Sequence, residues 1–401
     1  MGGHTVEAEV GRVIDRYAEG LRRVGAIRSA PVEAAFRRVP RHALIPCIVE
    51  DGGKAVVPVD PANADHLERI YSNQPLVIRW LPAMSSSSQP SLMAEMLESL
   101  ELGQGARVLE IGAGTGYNAA LLAELVGLSG SVTTVDLTEE LAAETRQRLA
   151  SVGYDRVRVL ARDGCFGDVD GAPYDRIVAT ASCSDLSPFW LEQLAADGRM
   201  LIPLAHGDVY QAPLTQIWRA NGHIVGRIVG RSSFMAIRGE LRRDCWLSEE
   251  ETWKMQRLAS EDTPQATRPL FPGFGPGPQP PRWQPGRDER YDFFYFLALQ
   301  TRQTFDSVRG PGFGEESGFV VLAKDGVQLH GEQSTARYAA MERSYRQWEA
   351  LGKPGMRDYA LEFVALDAVV DDQRPDRSDR WAIDRRYFRQ FVSLDAGNHP
   401  G

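Results

Sequence analysis

The sequence predicts an α/β protein: a doubly wound parallel sheet, preceded by a helical segment and followed by a C-terminal α+β module. Three observations carry this. Residues 108–111 form a short apolar run of the kind that becomes a buried parallel strand, and it leads into Gly112, Gly114 and Gly116. A helical run over 118–126 follows at once, so strand, glycine turn and helix stand in the order of a nucleotide-type cofactor site. Further strand-like runs (131–136, 157–160, 174–180 and 198–203) then recur with helical runs between them, the pattern of a parallel sheet covered on both faces.

The remaining elements follow in order. Val6, Val10, Val13, Ile14, Tyr17, Leu21 and Val24 recur at helical spacing over residues 5–30. A second helix begins near Pro31, a residue suited to a first helical turn, and stops at Pro40. From there to about residue 80 the chain reads as irregular, with Gly52, Gly53, Pro58 and Pro61. Four serines, Ser85 to Ser88, then Gln89 and Pro90, precede an amphipathic helix over 92–100. Residues 215–225 read as a hairpin turning at Asn221-Gly222. The Pro/Gly stretch 263–287 excludes a helix or inner strand and reads as a linker or ordered loop. Beyond it come an apolar run (291–299), a hairpin turning at Asp325-Gly326, a helix over 334–351 stopped by Gly352 and Pro354, and strand-like pieces at 359–366 and 381–394. The expected organisation is a helical, substrate-side segment (1–80), a cofactor-binding domain (81–240) and the C-terminal module (241–401).

Composition narrows the function classes. With 54 acidic against 45 basic residues the net charge is -9, which argues against a general nucleic-acid binder. No apolar run reaches membrane-spanning length, and Met1-Gly-Gly-His-Thr lacks the basic start of a signal peptide. Cys47, Cys165, Cys183 and Cys245 are scattered without a CxxC, which fits reduced thiols in a cytoplasmic protein. The seven histidines show no metal-ligand spacing, so no catalytic metal is expected.

The glycine turn alone fits NAD, flavin or S-adenosylmethionine (SAM). Its details favour SAM. Glycine stands at every second position rather than in GxGxxG spacing, no Lys-Ser/Thr pair follows, and Glu110 can balance a sulfonium charge. Asp136 lies about 20 residues past Gly116, where a carboxylate holds ribose hydroxyls in such folds; a helix cap is the alternative. The serine run reads equally as capping chemistry or as contact with a substrate.

Beyond these readings, the chain resembles protein-L-isoaspartate O-methyltransferases over residues 10–204. The matching motifs are 32–46, 71–76, Ser88-Gln89-Pro90, 108–117, Asp163-Gly164, 172–175 and 198–203, all in the family's order. The resemblance implies a Rossmann-like SAM-dependent methyltransferase. Gly112, Gly114 and Gly116 would then pass the cofactor closely, Asp136 would hold its ribose, and Asp163 with Gly164 would lie at the adenine. The plain alternative for Asp163-Gly164 is a turn. Ser88 is the main residue implied for substrate contact, with Ser86 and Gln89 beside it and His42, Ser87 and Pro90 on the peptide side; His42 reads equally as a surface-loop residue. Two departures, Ser86-Ser87-Ser88 at the motif's start and about 200 further residues, are similar to homologues that tailor ribosomally made peptides, lanthipeptides of the FxLD type or graspetides. Residues 233–239 are similar to the lanthipeptide group. The implied partners are a modified precursor peptide and other maturation enzymes, with the C-terminal module recognising the peptide or serving as a structural or dimerising extension. General isoaspartate repair and a catalytically silent SAM-binding scaffold are the alternatives.

Overall fold

The computed structural model describes residues 2–50, 55–79, 85–206, 212–242, 254, 255, 257–259, 264–271, 289–301, 303–307, 309–323, 326–368 and 379–394. Cys245, Asp325 and most of the Pro/Gly stretch lie outside these. The chain divides into two compact units that interleave along the sequence: Met1–Ala181 with Ser187–Leu201 and Arg238–Glu240, and Ser182–Leu186 with Ile202–Ile237 and Leu241–Gly401.

The first unit begins with helices α1 (Gly2–Arg23), α2 (Ala30–Arg38) and α3 (Arg41–Leu44). Ser29 caps α2 by accepting from Val32 N, Pro31 sits in its first turn, and Val32, Ala35 and Phe36 form its buried stripe. The stretch expected to be irregular instead holds β1 (Cys47–Glu50), β2 (Ala55–Pro58), α4 (Ala64–Ile70) and β3 (Leu76–Arg79). These elements are four to seven residues long, too short for a clear period. The serine run forms a strand, β4 (Ser85–Ser87), antiparallel to β3 with Val77 opposite Ser86. Helix α5 (Pro90–Leu100) follows directly.

The sheet that organises this unit comprises β5 (Arg107–Ile111), α6 (Tyr117–Val126), β6 (Ser131–Asp136), α7 (Glu139–Ser151), β7 (Arg158–Ala161), β8 (Tyr174–Ala179), α8 (Pro188–Gln193) and β9 (Leu194–Pro203). Its strands are parallel in the order β7-β6-β5-β8-β9. Winding reverses between β5 and β8, and ligands bind at the carboxyl ends of strands beside such a reversal. Val108, Leu109, Val135, Ile177 and Val178 are buried on both faces, so the apolar runs are strands sandwiched between helices.

The second unit carries β10 (Ala212–Ala220), β11 (His223–Ser232), β12 (Ala266–Arg268), α9 (Glu289–Gln300), β13 (Thr304–Ser307), β14 (Gly310–Glu315), β15 (Gly318–Leu322), β16 (Val327–His330), α10 (Ser334–Ala350), β17 (Tyr359–Ala365), β18 (Arg380–Asp384) and β19 (Phe388–Leu394). It holds the antiparallel sheets of the C-terminal α+β module and, differently from the expected boundary at 240/241, the β10–β11 hairpin as well. Asn221 and Gly222 turn the first hairpin at φ 51° and 82°, the left-handed pair that a two-residue turn requires. Within the Pro/Gly stretch, β12 is an edge strand against β16, where proline is tolerated. Phe293, Phe296, Tyr345 and Trp348 pack into this unit's own core, which places much of the module's aromatic content in its interior.

Candidate active site

The glycine turn is built at the carboxyl end of β5. Gly112, Gly114 and Gly116 all have positive φ (107°, 52° and 88°), a backbone region that side chains rarely tolerate. At Gly112 space forbids a side chain as well, because an added Cβ would lie 2.5 Å from Thr180 Oγ1. Thr180 uses that hydroxyl to donate to the carbonyls of Gly112 (2.8 Å) and Ile111 (3.1 Å). Gly112 and Gly114 are half exposed, whereas Ala113 and Thr115 between and beyond them are buried. The loop therefore presents glycine backbone outward and anchors itself by the alternate residues. From behind, Thr145 Oγ1 on α7 donates to Gly114 O at 2.8 Å.

Asp136 stands at the end of β6, one-tenth exposed. Its Oδ2 accepts from Gly114 N (3.1 Å) and its Oδ1 from Leu137 N (2.8 Å), leaving lone pairs for further donors. The cap of α7 is Thr138, which accepts from Leu141 N, so Asp136 is not needed for it. Asp163 Oδ1 accepts from Cys165 N (2.9 Å) and thereby caps the turn Gly164–Phe166. Its Oδ2 accepts from Glu240 N (2.7 Å), and a Cβ on Gly239 would collide with that carboxylate. Gly164 packs against Ile111, with Trp190 Nε1 donating to its carbonyl at 2.8 Å.

Glu110 lies beneath the loop with no exposure. It accepts from Asn118 Nδ2 (2.7 Å) and Thr134 Oγ1 (2.5 Å), and burial pushes its carboxyl up to about 7. Its place is in the fold's interior, tying β5, β6 and α6 together.

The serine strand flanks the loop. Ser86 O is the atom nearest a Cβ built on Gly114, at 3.5 Å, so the two segments meet. Ser86 and Ser88 are half exposed, Ser87 and Gln89 are buried, and Pro90 opens α5. His42 Nδ1 is 2.8 Å from Tyr71 Oη, and burial lowers its imidazole pKa, which favours the neutral ring. It is thus tied within the fold on one nitrogen.

Sequence reasoning assigned no role to Arg41, Arg148, Thr180 or residues 238–240. Arg41 is fully buried beside the serine strand and donates to Ser87 Oγ (3.3 Å) and Ser88 O (3.4 Å). An arginine after Pro40 carried no signal of burial, since arginine is ordinarily a surface residue.

Together the segments give a glycine loop, a strand-end carboxylate and a hydroxyl-bearing strand, with no lysine in the loop. That donor set fits SAM: open backbone beside a carboxylate for hydroxyls, with the neighbouring guanidiniums of Arg148 and Arg238 turned to the loop carbonyls and to Asp136.

Comparison with known proteins agrees. The family model for protein-L-isoaspartate(D-aspartate) O-methyltransferase matches residues 18–241. The Methanopyrus kandleri protein-L-isoaspartate O-methyltransferase is 38% identical over 231 residues, 57% of this chain and 92% of that protein. Archaeoglobus fulgidus protein-L-isoaspartate O-methyltransferase 2 is 35% identical over 226 residues, 56% and 93% of the two chains. A solved structure named protein-L-isoaspartate O-methyltransferase shares the fold at TM-score 0.51 and 23% identity, over 87% of this chain and 96% of its own. With its loop, carboxylates and serine strand in that family's order, the chain belongs to the protein-L-isoaspartate(D-aspartate) O-methyltransferase family of SAM-dependent methyltransferases.

Proposed function

We propose that the protein methylates the free carboxylate of isoaspartyl residues in peptides and proteins. The observation that carries this is the contact of the serine strand with the glycine loop, at Ser86 and Gly114. It sets hydroxyl and amide donors beside the cofactor loop without a base. A carboxylate with a pKa near ~4 is already ionised at neutral pH and needs none. SAM supplies, when bound, an electrophilic methyl group on a sulfonium. Ser88, Ser86 and Gln89 hold the acceptor oxygen and strip its water, with Ser87 and Pro90 shaping the segment and His42 on the peptide side. Asp136 receives ribose hydroxyls, and Asp163 with Gly164 bounds the adenine. In the methyl ester the following backbone nitrogen attacks the ester carbonyl. A C–N bond forms, the C–O bond breaks, and methanol leaves with the amide proton. The resulting succinimide hydrolyses to aspartate or isoaspartate.

The narrower reading, tailoring of a ribosomally made peptide, rests on the length beyond the family core, the serine run and residues 233–239. The first is weakened: the solved isoaspartate methyltransferase shares its fold with 87% of this chain, well past residue 241. Ser86-Ser87-Ser88 and residues 233–239 are its remaining supports. Incubation with SAM and matched isoaspartyl and aspartyl peptides, linear and constrained, separates the readings by mass spectrometry. Gain of one methyl and then loss of methanol on linear isoaspartyl peptides is the expected result. Methylation confined to a constrained aspartyl peptide would replace repair with tailoring, and SAM binding without transfer to any peptide would leave a scaffold.

A further inference from the structure

Arg41 opens α3, immediately after Pro40, and has no exposed surface. An arginine keeps its positive charge in a protein interior. Burying a cation is costly unless an anion and a full set of acceptors accompany it. Arg41 has neither. Nη1 donates to Tyr17 Oη at 3.2 Å, and Nη2 is shared between Ser87 Oγ and Ser88 O. Among the described residues Nε has no acceptor. Among the described residues no carboxylate pairs with the guanidinium, whose Cζ lies 5.3 Å from the centre of the Tyr117 ring. The neighbouring phenols do not supply the charge. Tyr17 and Tyr117 are both fully buried with their hydroxyl pKa values pushed up, which keeps them neutral. An uncompensated cation therefore sits one residue layer behind the acceptor segment.

We propose that Arg41 is a positioning residue whose missing counter-anion is the substrate carboxylate, reached through Ser87 and Ser88. This rests on the carboxylate-acceptor reading above. Two effects follow from the contacts. Ser87 Oγ accepts from Arg41, which anchors the buried face of the serine strand and so fixes Ser86 and Ser88 on its half-exposed face. The Ser88 carbonyl is held, which fixes the backbone that carries Ser88 and Gln89. In a poorly screened interior the charge also favours an anion at the acceptor position.

The chemistry gives this role a signature that a packing role lacks. Methyl transfer turns the carboxylate into a neutral ester, so the attraction is strongest before reaction and falls as the bond forms. An interaction stronger in the ground state than in the transition state lowers KM and, if anything, kcat as well, so its loss raises KM without lowering kcat. Arg41 thus selects the ionised acceptor and lets the ester go.

The test uses the full-length protein, an isoaspartyl peptide and the same peptide with that carboxylate replaced by a carboxamide. Arg41→Met, Arg41→Lys and Ser87→Ala are compared with wild type by steady-state kinetics and by competition. Arg41→Met is expected to raise KM for the carboxylate peptide about tenfold with kcat within about twofold, and to leave carboxamide affinity unchanged; tenfold corresponds to about 1.4 kcal/mol. Arg41→Lys restores most of the preference for carboxylate over carboxamide. Equal weakening of both peptides, or an unchanged KM, overturns the proposal. Should Arg41→Met fail to melt cooperatively, Ser87→Ala decides: loss of at least about threefold of the preference supports the proposal, and an intact preference overturns it. Wild type that binds neither peptide while still binding S-adenosylhomocysteine removes the carboxylate-acceptor reading, and this inference with it.

Discussion

Arg148 Nε donates to the backbone carbonyl of Thr115 at 3.2 Å, so a helix α7 side chain caps the outer turn of the glycine loop. Its Nη2 reaches Gly114 O at 3.4 Å, and its Nη1 pairs with Glu144, 3.3 Å away. Glu144 pairs in turn with Arg79 on β3 at 2.7 Å, and β3 is the partner of the serine strand. Glycine loop and serine strand are therefore linked through Arg148, Glu144, Arg79 and β3. Arg148→Met is expected to weaken S-adenosylhomocysteine binding about tenfold by calorimetry, the scale of one or two hydrogen bonds from a charged donor. Peptide KM at saturating SAM should change little. Unaltered affinity would mean that the turn and Thr145 alone hold the loop.

Gly112→Ala should be destabilising by about 1–3 kcal/mol, since it combines a positive φ with the approach of Thr180. Adding Thr180→Ala removes the collision but not the backbone strain, so urea unfolding should show partial recovery. Full recovery would assign the whole cost to Thr180, and no recovery would assign it to the backbone.

Ser88→Ala is expected to lower kcat at least about tenfold while SAM affinity stays within about twofold, consistent with loss of a positioned donor. Calorimetry and initial rates on an isoaspartyl peptide check it. Equal turnover in the variant would take Ser88 out of the site.

Glu110 gives stability a definite pH dependence. Its folded pKa, about 7, lies above the ordinary 4.5 because burial disfavours the charged form. A raised carboxyl pKa means the folded protein binds a proton more tightly than the unfolded chain. The associated stability is full below about pH 4.5 and is lost as pH rises to 7, by up to about 3 kcal/mol. Glu110→Gln does not ionise. The stability difference, variant minus wild type, should therefore become more favourable to the variant between pH 5 and pH 8. A difference that stays flat across that range would show that the wild-type carboxyl titrates normally.

Much of this was legible in the sequence because it depends on local pattern. The run 108–111, the alternate glycines and Asp136 mark β5, its turn and the end of β6, since strand, turn and helix each leave a short-range signature. Asn221-Gly222 did the same for the β10–β11 hairpin. What escaped depends on distance in the chain. Ser85–Ser87 reads as capping chemistry or substrate contact, and as a strand only once β3 is placed beside it. Arg41 looks like a surface cation until Tyr17 and Tyr117 close around it. Glu110 reads as a charge near the cofactor, yet its partners Asn118 and Thr134 hold it in the interior. The β1–β3 region gave no period because its strands are four residues each.

The bond from Glu240 N to Asp163 has a consequence for how the chain is made. Residues 238–240 belong to the first unit, although 36 residues of the second, Ile202–Ile237, precede them. The two bonded residues are 77 positions apart. At roughly 5–20 residues per second, a ribosome delivers Glu240 about 4–15 s after Asp163. The last segment of the first unit therefore joins it after the parallel sheet has emerged. The contacts of Arg238 with Asp136 and of Glu240 with Asp163 form only after the β10–β11 hairpin has been synthesised.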